Sequence, residues 1–546
     1  MRRALAGIAR IAALLLVTVL AATCGGGGGM SSTTSPTQPP PSGSTTPTQA
    51  TDVTTYKNDV SRTGQNVTES VLTLTNVNST TFGLLRFLST DGKVDAQPLY
   101  LSGLSLQGAT HNVVFVATEN DSVYAFDADS GASLWHVSLL NSGESPTEPV
   151  DSCGQISPQI GITATPVIDR GAGAHGTLYL VAMSKDGSAN YYQRLHALDV
   201  TTGAEQLNGP VTISATYPMQ GGTMTFDARQ YAERAALLLA NGTIYTSFTS
   251  HCDARPYSGW VIAFSQATLA KTAAFNAAPN SGGSGPAIWM AGGGPAADGA
   301  GNVYLLTANG AFETTLDTSG FPSLADYGNS FLKLAGGSLA VSDYFTMYNT
   351  VTESGADLDL GSGGILLLPD LTDASNTTQH LAVGAGKDGN IYVVSRDSMG
   401  KFNASGNHIW QELDGALAGG IWSTPAYYQQ SVYFGPNGGS LRAFTISGAK
   451  LATGSASATS YPYPGTSPVV SANGAANGIV WAHENSNPAV LHAYDASDLA
   501  HELYNSSQAA NGRDHFGAGN KFITPAIADG KVLVGTQNGV AVFGLR

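Results

Sequence analysis

The densest group of residue types that could do chemistry lies between His251 and Trp260. His251, Cys252, Asp253 and Tyr257 place an imidazole, a thiol, a carboxylate and a phenol within one short stretch. Such a mixture of polar and aromatic side chains suits the mouth of a ligand site. The alternative, which the sequence favours, is a loop held by a disulfide, with Trp260 beginning the next strand and filling the core.

Other catalytic signatures are missing from the sequence. It contains no Gly-x-Ser-x-Gly elbow, no phosphate-binding loop and no His-Glu-x-x-His zinc motif. The glycine runs at 25–29 and 292–294 do not join a strand to a helix, so they are not phosphate cradles. No short motif therefore names a reaction by itself.

The N-terminus predicts export from the cytoplasm. Arg2, Arg3 and Arg10 precede an apolar run over 11–22, which is too short to cross a bilayer as a helix and is typical of a secretory signal. The run ends at Cys24 and resembles a bacterial lipoprotein signal, in which that cysteine is acylated; ordinary cleavage with loss of Cys24 is the alternative. We predict a signal peptide over 1–24, a flexible Gly, Ser, Thr and Pro linker over 25–50, and a folded domain over 51–546.

Export also bears on the two remaining cysteines, Cys153 and Cys252. In an oxidising compartment an even pair more often forms one disulfide than two free thiols, and no His/Cys spacing suggests zinc. We therefore expect a Cys153–Cys252 disulfide.

Composition narrows the class of protein and its partners. Of 546 residues, 42% are hydrophobic and only 12% are charged, and the formal net charge is −15. An acidic chain lacks the basic surface that a polyanion needs, so nucleic acid is excluded as a partner. The composition suits a large extracytoplasmic β-protein, which we expect to be monomeric.

A repeat organises the folded part. Each unit has a Pro-containing or small-residue opening, a strand with Tyr or Trp, a second strand ending near Asp, and a turn with Gly, as in Val123-Tyr124-Ala125-Phe126-Asp127. The eight units open at Gln97, Thr165, Ala235, Gly294, Gly364, Thr424, Ser467 and Thr524. The dominant period is two, which predicts an all-β, eight-bladed propeller of four-stranded antiparallel blades.

The ends of the chain predict how the ring closes. The last unit supplies only three strands, around 522–527, 531–535 and 540–543, whereas 82–89 is an unassigned strand near the start. We predict that this N-terminal strand completes the last blade, because closure removes the unpaired edge that an open array would expose. A pair of β-sandwiches is the competing arrangement.

The repeat Val123–Gly131 followed by Leu134-Trp135 resembles that of the pyrroloquinoline quinone (PQQ) propellers, the quinoprotein alcohol dehydrogenase-like superfamily. The likeness covers roughly 52–546 and includes the opening segments 55–59 and 62–66. It implies the propeller fold. It does not by itself imply an activity, because many propellers with this repeat, including outer-membrane assembly lipoproteins, carry no quinone.

Three segments resemble the functional positions of the quinone-dependent dehydrogenases. Asn309, in Thr307-Ala308-Asn309-Gly310, resembles a calcium ligand. Asp359, in Asp357-Leu358-Asp359, resembles the catalytic base, which would also bind the metal, and Lys387, in Gly386-Lys387-Asp388-Gly389, resembles the residue that reaches the quinone's oxygens. The structural interpretation is that Asn-Gly and Asp-Gly form tight turns and that Asp caps backbone amides.

The departures from the family pattern concern the cofactor's surroundings. The family stacks its quinone between a tryptophan and a ring of adjacent cysteines, but this chain has no adjacent cysteines, and Trp289 falls out of register with the expected tryptophan. The calcium-binding glutamate expected within 184–192 is also missing, with only Asp186 as a carboxylate there. Such losses should weaken both quinone and calcium binding.

Two functions follow from these observations. The favoured one is an exported, membrane-anchored propeller that binds an envelope protein or glycan and needs no cofactor. The alternative is a PQQ- and calcium-dependent dehydrogenase of alcohols or sugars, with Asp359 as base, Lys387 and Trp289 at the quinone, and Asn309 and Asp359 on calcium.

Overall fold

The repeated units of the sequence fold into the eight blades of a closed β-propeller, as predicted. The computed structural model describes residues 52–546. The predicted signal peptide, the linker and Cys24 lie outside the described residues. Within 52–546, no helix is long and apolar enough to cross a membrane.

The strands of each blade pair antiparallel in chain order. In blades 1 and 2 they span Leu99–Leu106, Ala109–Ala117, Ser122–Asp127 and Ser133–Ser138, then Val167–Asp169, Thr177–Asp186, Tyr191–Asp199 and Val211–Thr212. In blades 3 and 4 they span Tyr231–Ala240, Thr243–Ser250, Trp260–Ser265 and Lys271–Asn276, then Ala296–Ala297, Val303–Leu306, Ser330–Leu334 and Val341–Thr346. In blades 5 and 6 they span Leu366–Leu367, Leu381–Ala385, Ile391–Ser395 and Gln411–Leu413, then Ala426–Tyr428, Ser431–Phe434, Ser440–Ser447 and Lys450–Ser460.

The last two blades include strands from the N-terminal part of the folded domain. Blade 7 comprises Val469–Asn473, Ala476–Glu484, Val490–Asp495 and Asp498–Asn505, with Gln65–Asn66 added in parallel. Blade 8 comprises Ala526–Ala528, Lys531–Gly535 and Gly539–Leu545, and its fourth strand is Phe82–Ser89. The predicted closure of the ring by the strand around Leu85 is confirmed.

Short elements occupy the connections between blades and, in blade 5, the connection between its first two strands. They are the strand Glu144–Pro146, which adds to blade 2, the hairpins Thr216–Met219 with Gly222–Thr225 and Leu371–Thr372 with Thr378–Gln379, the α-helix Thr350–Gly355, and the 3-10 helices Val150–Ser152, Met290–Gly292, Leu360–Ser362 and Ala510–Gly512. The core lies between adjacent blades, where alternate strand residues such as Tyr245, Tyr304 and Tyr392 are fully buried.

The segment 53–66, which we call the N-terminal belt, contacts the first strands around the ring. The backbone of the belt pairs with Tyr100 of blade 1. Its carbonyl groups accept hydrogen bonds from backbone amides of blades 2, 4, 5, 6 and 7. The side chains of Arg62 and Asn66 donate hydrogen bonds to backbone carbonyls of blades 3 and 8. Because this one segment contacts the first strands of all eight blades, those strands must face the channel. The belt therefore packs against the inner wall of the ring, and its Tyr56 hydroxyl donates to Thr424 at 3.1 Å.

Candidate functional site

The connections between blades enclose a cavity of about 260 Å³. Its wall is formed by residues from around the ring, so we call it the axial cavity. They are Cys153, Gln155, Ile156 and Ile160 between blades 1 and 2; Ala232, Arg234, Thr249, Ser250, His251, Cys252 and Asp253 from blade 3; Trp289, Ala308, Asp357, Asp359 and Lys387 from blades 3 to 5; and Tyr463 and Phe522 from the last connections. Residues that are distant in sequence thus share one enclosed space.

A charged network forms one side of the axial cavity. Asp359 follows the short helix Thr350–Gly355, and its Oδ2 lies 2.6 Å from Nζ of Lys387. The same ammonium lies 2.9 Å from Oδ1 of Asp357. Asn309 contacts both carboxylates, since its backbone amide donates to Asp359 Oδ1 at 2.7 Å and its Nδ2 donates to Asp357 Oδ1 at 2.8 Å. The three segments singled out in the sequence therefore meet at one point.

Burial and charge act in opposite directions on this network. Burial raises the pKa of the Asp359 carboxyl, although Lys387 and the Asn309 amide both favour its ionised form. Burial works against the charged form of Lys387, but the Asp359 carboxylate outweighs it and raises the pKa of Lys387. The ammonium thus stays charged beside a carboxyl group that can hold or release a proton.

Trp289 lies in the wall of the same cavity. Its register relative to the family's stacking tryptophan stays a prediction. Met290 and Ala291 adopt left-handed backbone angles, with φ of 41° and 53°, in the turn that follows. Its ring packs edge-on against Phe522, with centroids 6.2 Å apart. An indole therefore forms part of the cavity wall.

The two cysteines of the folded domain also reach this wall. Cys153 and Cys252 form a disulfide, with their Cα atoms 5.4 Å apart, and both line the axial cavity. The disulfide links the connection between blades 1 and 2 to the end of the second strand of blade 3. Although the chain has no adjacent cysteines, the cavity wall therefore contains a disulfide.

The stretch from His251 to Trp260 combines both interpretations drawn from the sequence. Trp260 begins the third strand of blade 3 and is fully buried, whereas His251, Cys252 and Asp253 line the cavity. Burial lowers the pKa of His251 to about 4, so its ring is neutral near pH 7. Asp253 accepts a hydrogen bond from Tyr257 at 2.8 Å.

Asp253 adds a third carboxylate to the wall of the axial cavity. Asp186 is bound within its own turn, where it accepts hydrogen bonds from Asn190 and Tyr192. Asp253 instead lines the cavity with Asp357 and Asp359. The sequence suggests a ligand mouth at Asp253, but it does not predict the turn that carries this residue, in which Cys252 and Asp253 both adopt left-handed angles, with φ of 47° and 56°.

Arg234 and Phe522 were also not singled out in the sequence. The Arg234 guanidinium lies over the Phe522 ring, 4.4 Å from its centroid. One sequence feature could have pointed to Arg234, because Glu233 and Arg234 are adjacent charged residues in a strand that is otherwise mostly apolar.

Solved structures of similar fold include two bacterial quinohemoprotein alcohol dehydrogenases. The enzyme from Comamonas testosteroni superposes with a TM-score of 0.61 at 13% identity, covering 91% of this chain and 80% of that one. Alcohol dehydrogenase ADHIIG from Pseudomonas putida HK5 gives 0.60 at 14% identity, covering 91% and 80%. A europium-containing methanol dehydrogenase gives 0.57 at 14% identity, covering 90% and 98%. No family model matches the chain, and no curated protein does. These likenesses establish the fold.

The cavity's residues fit a planar acidic quinone better than they fit calcium. The Trp289 ring offers a flat contact surface, and Lys387 and Arg234 offer positive charge beside the carboxylates of Asp253, Asp357 and Asp359. Calcium takes 6–8 oxygen ligands. Among residues 52–546, no group of three or more Asp, Glu, His or Cys is placed to hold a metal, and the Lys387 ammonium already forms ion pairs with Asp357 and Asp359. We therefore derive no step through calcium.

Proposed function

We propose that this protein binds a planar acidic quinone of the PQQ class in the axial cavity and oxidises an alcohol or sugar. The observation that carries the proposal is that Trp289, the Cys153–Cys252 disulfide, Asp359 and Lys387 all line one cavity of about 260 Å³. A tryptophan and a disulfide thus both line the cavity, although the chain lacks the adjacent cysteines of the family pattern.

The chain's own residues suit the proton chemistry of such a reaction. When bound, the quinone would accept the hydride that leaves the substrate carbon. Asp359 would take the proton of the substrate hydroxyl, and it can do so only when ionised. Lys387 and the Asn309 amide favour that ionised form. Lys387 would also donate to a quinone oxygen, and Trp289 would support the quinone's face.

Reconstitution tests this proposal. The purified protein is incubated with PQQ, without added metal and then with calcium, and reduction of an artificial dye is followed with a panel of alcohols and sugars. Turnover that Asp359→Asn abolishes supports the proposal. If correctly folded protein that is saturated with PQQ oxidises none of these substrates, the dehydrogenase assignment is overturned.

A second candidate is a binding module without catalysis, which the satisfied charge network supports. Lys387 forms ion pairs with Asp357 and Asp359, and Asn309 donates a hydrogen bond to each carboxylate, without any added group. A propeller with such a self-contained site could use its loops to bind an envelope protein or a glycan. Capture from crosslinked envelopes, compared with capture by Asp359→Asn protein, distinguishes loop binding from binding in the cavity.

We further propose that the protein is exported and anchored in the cell envelope by a lipid on Cys24. The support is the basic and apolar pattern of 1–24 and the linker composition of 25–50. Metabolic labelling with a fatty-acid analogue should mark the wild-type chain and not Cys24→Ala. Equal labelling of both would exclude this anchor.

A further inference from the structure

The first strand of blade 3 carries a buried guanidinium that has no partner of its own. Arg234 is 8% exposed and lines the axial cavity. Within residues 52–546 its side chain makes no hydrogen bond and no salt bridge; its guanidinium lies over the Phe522 ring and attracts the Asp95 carboxylate without pairing with it. A guanidinium carries five N–H donors, so this side chain has donors to spare toward the cavity.

The nearest acidic group is already committed. Asp95 lies 2.9 Å from the Lys93 ammonium and accepts a hydrogen bond from Asn520 at 2.9 Å. A second cation lies on the same side, since Lys521 donates to Gln155 in the cavity wall at 3.0 Å. Burial and the charges of Arg234 and Lys93 lower the pKa of Lys521. This side of the cavity therefore carries more positive charge than the protein compensates.

Burying an unpaired charge is costly, and a cation–π contact offsets only part of that cost. A bound anion would satisfy the free donors and relieve the repulsion between Arg234 and Lys521. The planar fork of arginine matches the two oxygens of a carboxylate. The rings of Phe522, Trp289 and Tyr463 beside it favour a flat organic body over a free inorganic anion.

We propose that Arg234, assisted by Lys521, forms a carboxylate-binding subsite on the Phe522 side of the axial cavity, separate from Lys387. The inference deepens the proposed function, on which it rests for the identity of the ligand. The carboxylate belongs to a planar molecule and comes either from the quinone or from an acidic substrate.

The first experiment needs no quinone. Benzene-1,3,5-tricarboxylate and its neutral triamide are titrated calorimetrically into wild type, Arg234→Gln, Arg234→Lys and the control Arg442→Gln, which alters a half-buried arginine on blade 6 outside the cavity. We expect the tricarboxylate to bind wild type and Arg442→Gln alike, and to bind Arg234→Gln about tenfold or more weakly, as loss of a charged hydrogen bond implies. Arg234→Lys should lie between them, and the triamide should not respond to the substitution. Equal affinity in wild type and Arg234→Gln, or no binding to wild type, overturns the subsite.

The second experiment distinguishes the two sources of the carboxylate. PQQ affinity is measured in the same variants, and the loaded protein is assayed with 4-(hydroxymethyl)benzoate and with benzyl alcohol. Weaker PQQ binding by Arg234→Gln with an unchanged ratio of kcat/KM for the two alcohols assigns the subsite to the quinone. A loss of preference for the acidic alcohol with unchanged PQQ affinity assigns it to the substrate. If the protein proves inactive with PQQ, the proposed function fails while the tricarboxylate titration still decides the subsite.

Discussion

Nζ of Lys387 lies 2.6 Å from Oδ2 of Asp359 and 2.9 Å from Oδ1 of Asp357, so one ammonium serves both carboxylates. This relationship places a positive charge between two acidic groups of the axial cavity. It gives the candidate base Asp359 a neighbour that favours its ionised form, and it makes the pH dependence of the site testable.

Replacing Lys387 should shift the pH profile of the site to higher pH. The pKa of Asp359 is already raised by burial, so a reaction that needs its ionised form gains rate as pH rises through that pKa. Lys387→Met removes the positive charge that opposes the rise in the pKa of Asp359. The rising limb of the kcat/KM profile should therefore move to still higher pH. Lys387→Arg, which keeps the charge, should leave the limb close to that of wild type. An unmoved limb in Lys387→Met would show that Asp359 is not the group being titrated.

The same substitution should change the response to calcium. In wild type the ammonium occupies the position between the carboxylates, so neither calcium nor a chelator should shift Tm appreciably. In Lys387→Met, Asp357, Asp359 and Asn309 would be left without a cation, and added calcium should raise Tm. Differential scanning calorimetry with calcium and with chelator measures both. A large calcium stabilisation of wild type would contradict this description of the network.

Replacing Glu233 by glutamine should stabilise the protein near neutral pH. Both carboxyl oxygens of Glu233 are buried without a hydrogen-bond partner among the described residues, and burial raises its pKa well above 4.5. A carboxyl with a raised pKa in the folded state loses stability as pH rises from its unfolded pKa toward its folded one. Glu233→Gln should therefore have a higher Tm than wild type at pH 7, and the two should converge near pH 4. The exposed control Glu148→Gln should not show this pattern, and a lower Tm of Glu233→Gln at pH 7 would contradict the assignment.

The blade count and the closure of the ring could be predicted from the sequence, but most of the cavity wall could not. Openings such as Thr165-Pro166 and Thr424-Pro425 mark first strands, because each is followed directly by one. Trp289 and Asp253 depend on left-handed turns at non-glycine residues, which no periodicity encodes. Arg234 differs from any other strand arginine only in what surrounds it, which is set by blades distant in sequence.

Removing the disulfide should affect both stability and the cavity. Cys153 and Cys252 are 99 residues apart, so their link closes a long loop of the unfolded chain. We expect the double variant Cys153→Ser/Cys252→Ser to lose about 2–4 kcal/mol of unfolding free energy. It should also bind PQQ more weakly, because both side chains line the cavity. Chemical denaturation, with a reducing agent added to wild type as the matched condition, measures the first effect. If neither the double variant nor reduced wild type were less stable than oxidised wild type, the proposed contribution of the disulfide would be contradicted.

Arg62 should be essential to the N-terminal belt. It is fully buried and donates to the carbonyls of Pro295, Leu237 and Tyr56 at 2.9–3.0 Å. Arg62→Met would leave these carbonyls unpaired, at a cost of roughly 1–3 kcal/mol for each buried group. Urea denaturation should show a loss of several kcal/mol, whereas Arg442→Met should have little effect. A variant as stable as wild type would mean that the belt does not hold the first strands together.

Calorimetric titration of PQQ into the purified wild-type protein and into Trp289→Ala, without added metal, tests the central claim most directly. We predict saturable binding of one quinone per chain, weakened about tenfold or more in Trp289→Ala through loss of the indole face. Trp410→Ala, which alters an indole that contacts Lys450 and lies outside the cavity wall, should bind as wild type does. Absence of saturable binding to wild type, or equal binding by Trp289→Ala, would contradict a quinone site in the axial cavity.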